Sequence, residues 1–128
     1  LNEMALPPCH VMCQFNVIEN KLSCSMYQRS GDVGLGVPFN IASYSFLTHL
    51  IAHHCDLKAD EFVYYLGNAH IYDDHYDVLQ KQIELEPFET PRLEITCEIK
   101  DKIEDYKIKD FKLINYNSHS SIKMTMRA

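Results

Sequence analysis

Apolar residues recur at every second position in the first part of the chain. Val11, Cys13, Phe15 and Val17 alternate with polar or smaller residues, and Leu22, Cys24 and Met26 resume the period after Glu19-Asn20-Lys21. Period two marks a strand with unlike faces, and the break between the two runs has turn composition. The pattern over Val11–Gln28 therefore predicts strand, tight turn, strand. Such a hairpin would carry Arg29 and Ser30 back beside Cys9. Ser30 to Pro38 reads as a loop, in which Gly31, Gly34 and Gly36 mark unusual backbone or close approach to a ligand. A helix is predicted from Asn40 to about Cys55, because Ile41, Tyr44, Leu47, Leu50, Ile51 and His54 fall at helical spacing. From Ile41 to Cys55 there is no Asp, Glu, Lys or Arg, which predicts a helix buried on most sides. Asn40 then stands where an N-cap belongs; its amide is equally a candidate ligand.

Further along, Phe62–Leu66 reads as a short apolar strand ending at Gly67. His70 and Tyr72 follow two apart, a spacing that aims both rings the same way in extended chain. Asp73–Leu85 reads as a helix with acids in its first turn, stopped by Glu86-Pro87. Leu93, Ile95, Cys97 and Ile99 alternate with Glu94, Thr96 and Glu98 as a half-exposed strand, Asp101–Asp110 as a solvated charged connector, and Phe111–Tyr116 as a last strand.

Composition narrows the class. In 128 residues, 46% hydrophobic and 23% charged, there is material for one globular domain with a core. A net charge of −6 argues against a nucleic-acid platform, so DNA is not an expected partner. No apolar run approaches bilayer length and no signal peptide opens the chain, so no membrane partner is expected. The five cysteines, Cys9, Cys13, Cys24, Cys55 and Cys97, are odd in number, spread out and free of any C-x-x-C pair. That composition points to a reducing compartment, and a cytoplasmic location is the expectation. A first residue Leu1 so near the chemistry at Cys9 suggests a domain whose N-terminal part is missing.

The chemistry gathers in Ala5-Leu6-Pro7-Pro8-Cys9-His10 and Tyr27-Gln28-Arg29-Ser30-Gly31-Asp32. Prolines stiffen the chain before Cys9. A thiol attacks as thiolate, and a nearby Arg or protonated His favours that form; Arg29 and His10 are the candidates. A thiol, a fixed cation, a hydroxyl and a carboxylate are the parts of a nucleophilic site for an anionic substrate. Each has an ordinary reading too: a buried cysteine, a solvated Arg-Ser pair, a turn aspartate, a core histidine. His49 and His53 lie four apart, with His54 and Cys55 adjacent, but no H-E-x-x-H is present. These read as core histidines, and no metal is expected. His75 and His119 are given no role either.

Pro8-Cys9-His10, Leu22-Ser23-Cys24-Ser25-Met26-Tyr27-Gln28-Arg29-Ser30, Leu35-Gly36-Val37-Pro38-Phe39-Asn40-Ile41-Ala42-Ser43-Tyr44 and Gly67-Asn68-Ala69-His70-Ile71-Tyr72 together resemble the thymidylate synthase family, in order and over essentially the whole chain. The resemblance is to the C-terminal portion of that domain. It implies an α/β (α+β) fold, a mixed β-sheet packed against helices. It implies a methyltransferase that converts dUMP to dTMP with 5,10-methylenetetrahydrofolate as co-substrate, and a homodimer when full length.

By the same resemblance, Cys9 is the nucleophile, with Asn40 and His10 in the catalytic network. Gln28, Arg29, Ser30, Gly31, Asp32, Asn40, His70, Ile71 and Tyr72 would bind dUMP. Asp32, Leu35, Gly36, Phe39 and Arg127 would meet the folate. Arg127 stands where the family carries a small penultimate residue, and Gly31 where it carries cysteine or alanine. The family's catalytic glutamate, a tryptophan near the folate and further arginines would precede Leu1 or come from a second subunit, so the isolated chain is expected to be inactive or nearly so. Two other functions fit the motifs. One is a pyrimidine nucleotide hydroxymethylase of the same superfamily. The other is a non-catalytic half-domain that binds nucleotide or a protein partner.

Overall fold

The computed structural model describes residues 7–127. Ala5 and Leu6 of the cysteine motif, and Ala128, lie outside the described residues. Strand β1 (His10–Ile18) turns into β2 (Lys21–Asp32), helix α1 (Gly36–His54) crosses over, and β3 (Lys58–His70) returns parallel to β2. A 3-10 turn at Asp73–His75 leads into α2 (Tyr76–Ile83); β4 (Arg92–Ile95) and β5 (Phe111–Ile114) then pair antiparallel as a separate two-stranded sheet. The main sheet has the order β1-β2-β3, antiparallel on one side and parallel on the other. It is a mixed sheet with α1 packed on it, against β2 and β3.

The hairpin forms because Glu19 and Asn20 take up positive φ (50° and 62°), the double left-handed turn whose twist matches two antiparallel strands. The helix between parallel strands is what such a connection needs, since a hairpin cannot reverse the chain back to the same direction.

Several elements differ from the pattern read off the sequence. The loop expected over Ser30–Pro38 is mostly not a loop: β2 runs through Asp32 and α1 starts at Gly36. Pro38 sits in the first helical turn, where its missing N–H is one that a helix leaves unbonded anyway. Asn40 is therefore inside α1 rather than its cap; Leu35 holds the cap position. β3 is 13 residues long, so the expected Phe62–Leu66 is only its middle and Gly67 does not end it. The helix expected from Asp73 to Leu85 is split between the 3-10 turn and α2. β4 stops at Ile95, short of Cys97 and Ile99, and β5 at Ile114, where Asn115 turns at φ 58°.

Burial departs too. Leu22, Cys24 and Met26 of β2 and Ala52 of α1 form the apolar core, so β2, flanked by two strands and covered by α1, is its centre. α1 buries only Thr48 and Ala52. It meets the sheet along one side, and Phe46 and Ile41 stay exposed. All of β1 is exposed on both faces.

The charged connector before β5 is not all solvated. Its last residue, Asp110, is buried, paired to Lys100 and accepting the Lys107 backbone N–H at 2.9 Å. The hydrogen bond from Lys100, then that from Lys107, hold the Asp110 carboxyl below its ordinary 3.8. A carboxyl depressed in the folded state contributes stability above its unfolded pKa and loses it as pH falls through the lower folded value. Asp110→Asn is thus expected to destabilise the β4–β5 unit at neutral pH, with the gap to the parent closing below about pH 4. Melting curves of both proteins across that window check it.

Candidate active site

The parallel pair β2–β3 ends at Asp32 and His70, which are register partners, and antiparallel β1 begins at His10 at the same end of the sheet. The carboxyl ends of parallel strands are where loops open to ligands. The topology thus gathers Cys9 and His10, Arg29 to Asp32, and His70 to Tyr72 at one edge, and α1 starts there with Leu35, Gly36, Phe39 and Asn40.

Cys9 lies on a bend just before β1, half-buried and unpaired. Its carbonyl accepts the Arg29 backbone N–H at 2.9 Å. The Arg29 side chain reinforces this: Nε donates to Pro8 O at 3.0 Å and Nη2 to Pro7 O at 2.6 Å. The cation is therefore braced on the backbone that carries the thiol. Neither contact uses Nη1, a further donor of the same fixed cation. Of the other thiols, Cys24 is fully buried, and burial pushes it up, away from the thiolate form.

Gln28 is 2% exposed and sits at the centre of a hydrogen-bonded network. A carbonyl only accepts, so the Gln28 atom 2.8 Å from Ser30 O is the amide nitrogen Nε2. The Tyr64 hydroxyl donates to Gln28 Oε1 at 2.8 Å, and burial pushes Tyr64 up so that it stays a donor. Gln28 Nε2 also donates to Asn40 Oδ1 at 3.0 Å. The Asn40 oxygen is thereby tied to Gln28, and its NH2 is presented as a donor on the other side of the amide.

Asp32 accepts the Gly34 N–H at 2.9 Å and stands 3.9 Å from His75 Nδ1. The His70 and Tyr72 rings meet edge to face at 5.4 Å, and His10 meets Tyr44 the same way at 5.2 Å. Ile71 and Phe39 are exposed, Phe39 at 75%. Leu35 and Phe39 line a cleft of about 560 Å³, which Gly34, Ile122 and Met124 also border.

Two glycines are set by space. A Cβ on Gly67 would lie 2.8 Å from the Arg29 carbonyl oxygen, backbone that cannot move without moving the cation. Gly67→Ala is expected to lower stability by about 1–3 kcal/mol, read as a lower melting midpoint. A Cβ on Gly31 would crowd Val37 Cγ2 and Leu66 Cδ1 at 2.8 and 2.9 Å, and the β-branched Val37, fixed in its helix, has little room to give.

A family model described as thymidylate synthase matches residues 1–128, the entire chain. The chain belongs to the thymidylate synthase family. It is 54% identical over 123 residues to the human thymidylate synthase, covering 96% of this chain and 39% of that protein. It is 54% identical over 129 residues to thymidylate synthase 1/2 of Encephalitozoon cuniculi, covering all of this chain and 44% of the relative. It matches the bifunctional dihydrofolate reductase-thymidylate synthase of Plasmodium berghei at 54% over 128 residues, which is 22% of that protein. The chain thus spans less than half the length of these relatives.

Most candidate site residues read from the sequence lie at one end of the sheet, but three residues in contact with candidate residues were not singled out with them. Tyr64, which orients Gln28, sits 36 residues away from it. Asp74 and His75 meet the last residues of the chain. Among the described residues no group of three or more His, Cys, Asp or Glu is placed to hold a metal ion, and no helix is long and apolar enough to cross a membrane. His53 and His54 instead lie edge-on to Tyr106.

Proposed function

We propose that this chain carries the nucleotide-binding and nucleophilic part of a thymidylate synthase active site. The reaction is reductive methylation of dUMP by 5,10-methylenetetrahydrofolate. Cys9 Sγ adds to C6 of the uracil, which makes C5 nucleophilic. C5 takes the methylene carbon from the folate and loses its proton to a base. A hydride from the same folate turns the methylene into methyl, the C6–S bond breaks, and dTMP and dihydrofolate leave. Covalent addition divides one difficult substitution into easier steps.

The orientation of the Asn40 amide carries this reading. Held by Gln28 through its oxygen, Asn40 offers an NH2 donor. That suits the O4 carbonyl of uracil and not the exocyclic amino group of cytosine, which favours the methylating reaction on dUMP over a cytosine hydroxymethylase. The remaining Arg29 donors suit the 5′-phosphate, with the Ser30 hydroxyl beside them. His70 and Tyr72 suit the deoxyribose 3′-hydroxyl. Asp32, Leu35, Gly36 and Phe39 suit the folate ring, and the working enzyme is a homodimer.

The test is covalent capture. A dUMP analogue with fluorine at C5 cannot release that atom as a cation, so with methylenetetrahydrofolate the intact protein should stall as a ternary adduct. Peptide mass spectrometry should place nucleotide plus folate on Cys9. An adduct-free Cys9, together with no dTMP formed from dUMP, would overturn the proposal.

A further inference from the structure

The segment Ile122–Arg127 runs back over the loop between β2 and α1, and two side chains of the 3-10 turn at Asp73–His75 grip it. Arg127 Nη2 donates to Asp74 Oδ2 at 2.6 Å. One residue on, His75 is fully buried, and its Nε2 lies 2.8 Å from the Thr125 carbonyl. A carbonyl only accepts, so Nε2 carries the proton and donates. The other ring nitrogen stands 3.9 Å from Asp32 Oδ1, without a hydrogen-bond partner among the described residues. Between these grips, Met124 packs close to Gly34, where an added Cβ would come within 3.2 Å of its sulfur. Met124 and Ile122 form a wall of the cleft that Leu35 and Phe39 line.

We propose that Asp74 and Arg127 are positioning residues: with His75 they clasp segment 122–127 against the Asp32 loop and so set the wall of the folate cleft before the folate arrives. The functional part of this proposal rests on the reading of that cleft as the folate site. The chemistry supports a clasp rather than a chance surface pair. The two grips come from adjacent residues of one short turn. They hold backbone and side chain of the same segment, and one of them, His75, is buried and also faces Asp32. The Arg127 hydrogen bond also holds the Asp74 carboxyl below the usual range. Both partners are partly exposed, so salt weakens this pair while leaving the His75 grip nearly untouched.

The experiment compares the intact protein with Arg127→Ala, Asp74→Asn and the charge swap Asp74→Arg/Arg127→Asp. Two readouts are taken: backbone amide exchange over Ile122–Arg127, and steady-state kinetics with dUMP and methylenetetrahydrofolate. Each single variant should speed exchange in that segment and raise KM for the folate about threefold. KM for dUMP should stay as in the parent, and the charge swap should restore both readouts. Added salt should speed exchange over Ile122–Arg127 in the parent and leave exchange there in Arg127→Ala as it was. Unchanged exchange in both single variants, or a charge swap no better than Arg127→Ala, overturns the clasp. A protein that forms neither dTMP nor the Cys9 adduct overturns the functional reading instead, and exchange still decides the clasp.

Discussion

Replacing Cys9 by serine is expected to lower dTMP formation by a factor on the order of 10⁴ to 10⁶, the range in which loss of a covalent nucleophile falls. A serine hydroxyl is of similar size, so Arg29 keeps its contacts to Pro7 O and Pro8 O, and Gln28 keeps Asn40. Nucleotide binding should therefore survive within a few-fold, while the C5-fluorinated analogue leaves no covalent mass on residue 9. Equilibrium binding of dUMP beside single-turnover chemistry separates the two effects. A variant that binds and still turns over at the parent's rate would move the nucleophile elsewhere. Cys24 is no substitute, because it is fully buried with its thiol pushed toward the neutral form.

Asn40→Asp should change what the site reads. A carboxylate at residue 40 still accepts the Gln28 hydrogen bond, so the network of Tyr64, Gln28 and Ser30 stays intact. The NH2 donor is gone, and a carboxylate oxygen faces O4 of uracil, lone pair against lone pair. A site built on hydrogen bonds is intolerant of such a mismatch. kcat/KM for dUMP should fall on the order of a hundredfold to a thousandfold, while affinity for the corresponding cytosine nucleotide rises because its amino group donates where uracil accepts. Competition between the two nucleotides measures the shift directly. A variant that loses dUMP without gaining the cytosine nucleotide would mean that Asn40 acts on the fold of the site rather than on the base.

Much of the site was legible because its chemistry is local. Cys9-His10 and Gln28 through Asp32 are contiguous strings, and the Glu19-Asn20 turn announces the hairpin that joins them. Elements with mixed signals were harder. Pro38 reads as a loop residue until it is placed in the first helical turn, where proline costs nothing; that error also made Asn40 look like a cap. The outer parts of β3 are polar, and among the described residues this strand is bonded to β2 alone, so apolar runs marked just its centre. The absence of charge on α1 suggested burial on most sides, yet the described chain covers one side. Asp110 sat in a run of charges, and nothing in such a run tells a solvated acid from one paired to Lys100. The contacts of Tyr64 with Gln28 and of Asp74 with Arg127 span 36 and 53 residues. No spacing rule reaches that far; only the register of β2 against β3 and the return of the chain over the 3-10 turn create them.

The bracing of Arg29 on the two proline carbonyls has a kinetic corollary. In the proposed role, the guanidinium that meets the phosphate is also joined to the backbone that carries the thiol. Drawing Arg29 toward a bound dianion would then load the Pro7–Cys9 segment, and occupancy of one proposed subsite would be felt as alignment in the other. Binding energy from a remote group is then spent at the reacting centre. The nucleoside lacking its phosphate should accordingly be a slow substrate even at saturation, with its deficit in kcat and not only in KM.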